Sequence, residues 1–415
     1  MTGKRKRKLA MPDTLIIVAS VVLLVAILSW IIPSGTYDYQ EMNINGRIRN
    51  VAIDGTYHTI DKSEVTTTGF LGFFSVLYRG CVEAADVIFM ILCCCGTFGV
   101  VVKTGAFHAG IGTILKKLKG KEILLVPIIM MIFGLGGSVF GMASEFYGFY
   151  PLIVGLGVAL GYDAMFGFAI IAVGEFVGFM GATLNPYSVG IAQTISGVEL
   201  YSGTGYRAIC FVIFMAISII YVMVYGRKIK KNPGASVVFG EKNIHAFDRD
   251  ELNEYSFTLK DGLVLLDVFV VLVVLMLGLI KWGWDFPQLC GLFLLMSMIA
   301  AAICKWSPNK WCSEFIDSAK TAMWGCILTG IAKAITVVMQ DAQIMDTVIY
   351  GLSNVLKNAP HAVSAQVMLV VQTLINFFIP SATGQASATM PIMAQLADII
   401  GVSRQTAVLA FQFGD

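Results

Sequence analysis

Apolar stretches of about 18 to 22 residues recur along this chain, Thr14 to Ile32 and Leu263 to Ile280 among them. As helix, each is long enough to cross roughly 30 Å of hydrocarbon. Lipid offers backbone groups no hydrogen-bond partners, so a chain built from such stretches must satisfy them within its own helices. Composition agrees: 57% of the residues are hydrophobic and 13% charged, whereas a soluble domain carries roughly a quarter charged residues. The fold class read from this is an all-α polytopic membrane protein with the lipid bilayer as its solvent. A net charge of +2 suggests no nucleic acid partner. The cysteines, including Cys93, Cys94 and Cys95, lie mainly in apolar stretches without metal-ligand or redox spacing.

Basic residues set the orientation. Lys4 to Lys8 precede a first apolar run that ends at Trp30 and Pro33 without a small-residue cleavage site. Residues 1–12 are therefore read as a cytoplasmic basic N-terminus and the run as a retained helix. The first repeat is placed at 13–226, with an external loop 34–68 whose Asn45-Gly46 and Asp54-Gly55 pairs signal a small β-hairpin. A span over Val82 to Val102 returns inward to an amphipathic interfacial stretch, Phe107 to Lys121. Residues 123–161, interrupted by Gly134, Gly136, Gly137 and Gly141, form a helical hairpin that enters and leaves on the cytoplasmic side. A span from Ala164 breaks at Gly178, Gly181 and Asn185-Pro186, and another over Ala208 to Tyr225 ends in Arg227, Lys228, Lys230 and Lys231. Residues 227–262 follow as a cytoplasmic linker, 263–282 as a connecting helix, and 286–415 as a second repeat with its hairpin at 363–401.

The first half crosses an even number of times, so the connecting helix turns the second copy over. The architecture is two inverted repeats with re-entrant helical hairpins and broken helices, a common scaffold of alternating-access carriers. At an offset of 240, Pro151 meets Pro391, Leu156 meets Leu396, Gly161 meets Gly401, and Gly174-Glu175 meets Gly414-Asp415.

An ionisable side chain near mid-membrane costs about 2.5 to 3.5 kcal/mol on insertion scales and so needs a partner or a function. Glu145, Glu175, Lys333 and Asp415 are such groups; pairing of a glutamate with Lys333 is the structural alternative. Broken helices add anion-attracting N-termini and freed carbonyls that hold cations. Ser144, Glu145, Asn185, Lys333, Ser381, Thr383, Gln385 and Ser387 are the expected substrate-binding residues. Ser138, Glu175, Thr183 and Asp415 are expected to hold a coupling ion, sodium or a proton. Tight helix packing is the alternative for the small polar residues. No catalytic residue, no cofactor and no metal beyond sodium is expected. The acidic residues favour a cationic substrate, Lys333 and the hydroxyls a carboxylate, and an amino acid satisfies both. Phosphate-binding GxxxxGK[ST], HExxH and nucleophile-elbow patterns are absent, which argues against ATP-driven transport and against an enzyme. A channel would need a continuous polar pore, which hairpins that stop halfway do not provide.

Three segments carry a family resemblance: MPDTLIIVASVVLLVAILSWIIPSGTYD, GEFVGFMGATLNPYSVGIAQTISG, and NFFIPSATGQASATMPIMAQLADIIGVSRQTAVLAFQFGD. Over essentially its whole length the chain resembles the YfcC-type branch of the C4-dicarboxylate anaerobic carrier (DcuC-like) family, within the ion transporter superfamily. The resemblance implies a secondary transporter of the bacterial cytoplasmic membrane for C4-dicarboxylates or for basic amino acids such as arginine and ornithine. It also implies homodimers, an elevator-type motion, and substrate with sodium held between two hairpin tips, Gly137 to Glu145 and Ser381 to Thr389, and the broken helix Gly178 to Pro186. Family members continue past the FGD motif into a second broken helix, so the second repeat is read as incomplete at Asp415.

Overall fold

Helix α1 (Thr14–Ile31) starts at Asp13, whose carboxylate accepts from Leu15 N, and runs as an unbroken apolar cylinder. This computed structural model describes residues 13–44, 47–118, 122–239, 257–282, 284, 286–357, 363–399 and 401–415. The N-terminal basic cluster, the Asn45-Gly46 pair, Lys119, Lys121 and residues 240–256 of the expected linker lie outside them. Segment 34–68 forms two antiparallel pairs, β1 (Ser34–Thr36) with β4 (His58–Ile60) and β2 (Tyr39–Ile44) with β3 (Arg47–Ala52). The β2–β3 pairing runs from Tyr39↔Ala52 to Ile44↔Arg47.

Helices then follow in order: α2 (Phe70–Glu83), α3 (Ala85–Lys103), α4 (Ala106–Leu118), α5 (Leu125–Leu135), α6 (Tyr150–Ala159), α7 (Ala164–Met180), α8 (Val189–Ile195) and α9 (Thr204–Lys231). The remainder is α10 (Leu259–Lys281), α11 (Phe286–Ile303), α12 (Pro308–Lys320), α13 (Met323–Asp341), α14 (Met345–Lys357), α15 (Ser364–Phe378), α16 (Ala382–Ile399) and α17 (Arg404–Gly414). Among the described residues, α1, α3, α9, α11 and α13 are long and apolar enough to cross a membrane. Leu24 and Ile27 on α1, and Ile213, Ile217 and Ile220 on α9, remain exposed, as a surface wetted by lipid requires.

The repeat is visible in the elements themselves. Five helices of the first half, α2 to α5 and α7, have mates whose first residues lie 238 to 240 positions later: Phe70 and Pro308, Ala85 and Met323, Ala106 and Met345, Leu125 and Ser364, Ala164 and Arg404. Packing obeys the same exchange. Helix α2 lies on α13 as α12 lies on α3, α1 lies on α13 as α11 lies on α3, and α5 packs on α7 as α15 packs on α17. Even the punctuation is shared. Gly105 and Gln343 both turn in the left-handed region, as do Gly161 and Gly401. The Asp163 carboxylate caps α7 by accepting from Phe166 N at 2.7 Å, and the Ser403 hydroxyl caps α17 by accepting from Thr406 N at 3.1 Å.

The structure differs from the sequence reading in several places. Helices α2 and α12 were not anticipated; both sit against the long helix of the opposite repeat. Helix α9 continues to Lys231, past the expected boundary at 226, and α10 begins at Leu259. That earlier start places Asp267 two turns inside α10, with its Oδ2 buried and without a hydrogen-bond partner among the described residues. The second tip is only Ile379–Ser381, because Thr383 to Thr389 already form the first turns of α16.

Segment 34–68 is fastened to the turn between α13 and α14. Ser34 Oγ donates to Ala342 O at 2.7 Å and Gly35 N to Gln343 O at 2.8 Å. The buried Asp346 carboxylate accepts from Tyr37 N at 3.0 Å, Thr36 Oγ1 at 3.1 Å and Tyr39 OH at 2.8 Å. Burial and then the Asp346 charge hold the Tyr39 phenol above its ordinary range, so it remains the donor. Asp346→Ala removes three bonds to one carboxylate, each of which is typically worth about 1.5 to 3 kcal/mol. A fall in melting temperature of roughly 3 °C or more is expected in detergent. Because the phenol's pKa is raised, its share of this stability is complete below about pH 10 and declines only above it. A melting curve for Asp346→Ala that overlays the wild type would contradict this assignment.

Candidate substrate and ion site

Helix α7 ends at Met180, and the chain unwinds until α8 resumes at Val189. Freed backbone groups at membrane depth must find partners, and the first hairpin supplies them. Helix α5 passes into a π-helical turn, Gly136–Phe140, followed by a 3₁₀ segment, Ser144–Phe149, and α6. From that turn Ser138 O accepts from Thr183 N at 2.9 Å and Leu184 N at 3.2 Å. The Ser138 hydroxyl lies 3.1 Å from both Gly181 O and Thr183 Oγ1. The buried Asn185 organises the other side of the break. Its Oδ1 accepts from Tyr187 N at 2.9 Å and Ser188 N at 3.3 Å, while Nδ2 reaches Gly137 O at 3.5 Å.

The same break meets the second hairpin. Thr383 Oγ1, at the start of α16, donates to Tyr187 O at 2.9 Å. Two peptide units therefore separate a residue that holds the first tip from one that holds the second. Gln385 is fully buried, with Nε2 donating to Gln372 O at 3.0 Å and to Gln372 Oε1 at 2.8 Å, and its own Oε1 has no partner. Ser387 Oγ donates to Thr383 O at 2.9 Å, and Ser381 Oγ accepts from Gly384 N at 3.3 Å.

Of the expected residues, Ser138, Thr183, Asn185 and Thr383 form one connected cluster. Glu145 is buried at the first tip, where its Oε2 accepts from Ala143 N at 2.9 Å, beside the half-buried Ser144. Glu175 is buried on α7 and accepts from Tyr150 OH at 3.1 Å. Asp415, its mate at offset 240, accepts from Asn376 Nδ2 at 2.9 Å. Lys333 is not brought into this cluster. It is half-buried on α13, makes no hydrogen bond or ion pair among the described residues, and its helix packs chiefly on α1, α2 and α3.

Sequence reasoning missed the amides and one cation. Gln412 Nε2 donates to Phe179 O at 2.7 Å, tying α17 to the end of α7. Gln193 Nε2 donates to Ser202 O at 2.9 Å and Gln405 Oε1 at 3.2 Å, tying α8 to α17. Arg207, at the head of α9 and not singled out in the sequence, is 1% exposed. The signal available was the density of amides between apolar neighbours in otherwise lipid-like helices, since an amide in such a setting needs a partner.

The C4-dicarboxylate anaerobic carrier family matches residues 11–415. The chain is 33% identical over 448 residues to the Escherichia coli K12 protein named "Putative basic amino acid antiporter YfcC", covering 100% of this chain and 88% of that one. It is 28% identical over 454 residues to an uncharacterized protein of Haemophilus influenzae, covering 99% and 89%. Among solved structures it is similar to the YdaH transporter of Alcanivorax borkumensis, at 13% identity and a TM-score of 0.44, covering 97% of this chain and 86% of that one. It is also similar to the efflux pump MtrF of Neisseria gonorrhoeae, at 15% identity and a TM-score of 0.46, covering 98% and 85%.

Proposed function

This chain belongs to the C4-dicarboxylate anaerobic carrier family, and from that premise we propose that it is a secondary active carrier, symporter or exchanger, for a small organic ion, with basic amino acids such as arginine and ornithine preferred. It is a multi-pass membrane transport protein. The observation that carries the mechanism is the Asn185 to Tyr187 segment, which binds Gly137 of one hairpin and Thr383 of the other. A site shared by two hairpins suits a carrier that exposes it to one side at a time. The buried carboxylates Glu145 and Glu175, with Asp415 on the matching helix, support a cationic substrate, in keeping with the description of the Escherichia coli relative. The family's description and the hydroxyl-rich start of α16 support the second reading, a C4-dicarboxylate or other small carboxylate.

The oxygen atoms around Ser138, Gly181 and Thr183 are neutral and hard, a donor set that suits sodium better than a softer metal. Glu175 is the group to exchange a proton. The protein works in the cytoplasmic membrane as a homodimer with its N-terminus inside, an orientation supported by Lys228, Lys230 and Lys231 at the end of α9.

Counterflow in proteoliposomes tests the reading. Vesicles loaded with ornithine are expected to accelerate labelled arginine uptake about tenfold over empty vesicles, and to do so saturably. Acceleration by succinate alone would establish the dicarboxylate reading instead, and an ohmic single-channel current would sink the carrier. The same assay on Glu175→Gln is expected to lose its dependence on sodium or pH; an unchanged response would remove Glu175 from coupling.

A further inference from the structure

The arginines with described ion pairs are exposed: Arg79 is joined to Asp341 and Arg404 to Asp398. Arg207, the one fully buried among the described arginines, has no carboxylate partner among the described residues. Its Nη2 donates to Ser202 O at 2.9 Å and reaches Thr183 O and Thr204 Oγ1 at 3.4 Å, all of them neutral groups. Its Nε is buried without an acceptor among the described residues. A lysine in this position could shed its charge, but a guanidinium cannot. An uncompensated buried charge costs several kcal/mol. The negative end of α7 nearby offsets only part of it, because a helix terminus carries roughly half a charge.

The location gives that charge a use. Arg207 holds the carbonyl of Thr183, the residue whose N–H and hydroxyl bind Ser138 of the first hairpin. The guanidinium thus stands one peptide unit behind the junction of tip and broken helix. A short turn covers it, with Tyr201 and Gly203 in left-handed conformations, and Gln193 and Gln405 hold that turn through Ser202. Glu145 and Glu175, by contrast, belong to the hairpin tip and to α7 ahead of the break.

We propose that Arg207 is the carboxylate-binding residue of this carrier: an arriving substrate carboxylate neutralises the buried guanidinium and accepts its open Nε–H. This rests on the carrier reading above and deepens it by naming the group every substrate must bear. An amino acid then presents its carboxylate to Arg207 and leaves its cationic end for Glu145 and Glu175.

Matched ligand pairs test the assignment: arginine against agmatine, which lacks only the carboxylate, and succinate against succinamide, in which amides replace both carboxylates. In wild-type proteoliposomes the carboxylate-bearing member of the transported pair is expected to be favoured by roughly 30-fold in kcat/KM. Arg207→Gln is expected to shrink that ratio to about threefold or less, and Arg207→Lys to keep most of it. Ratios compare two ligands on one variant, so a lower yield of folded protein cancels. If Arg207→Gln does not fold, Arg207→Met, similar in length and without the charge, takes its place with the same expected loss; a wild type indifferent to the carboxylate overturns the proposal outright. A full ratio in Arg207→Gln would make the residue a structural staple only. Should no flux be found at all, the carrier reading fails, and the same pairs read by thermal shift of purified wild type and Arg207 variants still test Arg207: stabilisation by arginine or succinate and not by agmatine or succinamide, lost on removal of the guanidinium, upholds it, and equal shifts in wild type and variant reject it.

Discussion

Asn185→Leu is expected to reduce flux at least about 100-fold, because the replacement is similar in size and loses every polar contact in the break. It leaves Tyr187 N and Ser188 N without the acceptor they have in the native chain and takes from Gly137 O one of its two donors, Gly141 N remaining. Each buried group left unmade costs about 1 to 3 kcal/mol, and a tenfold effect needs only about 1.4 kcal/mol. The unwound segment can recover these bonds only by moving away from one tip or the other, so the break no longer holds both hairpins. Asn185→Asp is the informative companion. It keeps an acceptor for the two backbone donors and gives up only the long contact to Gly137 O, so it should retain more activity than the leucine variant. Counterflow near the wild-type rate for Asn185→Leu, at equal protein in the vesicles, would dismiss the break as the organising element.

Gly178→Ala should prevent folding, through a different term. A β-carbon there would lie 2.1 Å from Gly134 O and 2.6 Å from Gly134 Cα. The obstacle is backbone on the facing helix, so no rotamer change relieves it, and α5 and α7 must part along the length that positions Ser138. Overpacking of this kind costs about 3 kcal/mol or more. A control with identical chemistry exists in Gly205→Ala, where the added carbon meets nothing within 4 Å. Size-exclusion profiles and melting curves of the two variants should separate, with Gly178→Ala aggregated or melting well below the wild type and Gly205→Ala unchanged. Coincident curves would mean that α5 and α7 are not in this contact.

Much of this was legible in the residues. The long helices declared themselves because a uniform apolar run of about 20 residues has few other solutions, and the first hairpin because glycines crowded at Gly134 to Gly141 have little place in a simple span. The repeat was legible from a few matched positions, Pro151 with Pro391 and Glu175 with Asp415 among them. What escaped had physical reasons. Helix α12, with Lys310, Glu314, Asp317 and Lys320, has too many charges to read as a span, although Ser307 before Pro308 marks its start by ordinary capping rules. Helix α2 contains Arg79 and glycines, and its partner is a helix of the other repeat, a contact no local pattern encodes. Lys333 looked like the principal cation because it lies well inside an apolar run, and Arg207 did not because it lies at the edge of one. Depth in the sequence is a poor guide to depth in the protein when a covering turn such as 201–203 comes from outside the helix.

The strands add a limit on travel. β1 is bolted to the start of α14, whereas β3 rests on the second hairpin's α16, and only Tyr37 and Asp38 join β1 to β2. Fully stretched, the chain from Thr36 to Tyr39 covers at most about 11 Å. That short leash bounds any displacement of the second hairpin relative to α14 while both attachments hold. A longer one would have to peel β3 from α16 or strip Asp346 of its three donors, so the small sheet would act as a governor acts on an engine.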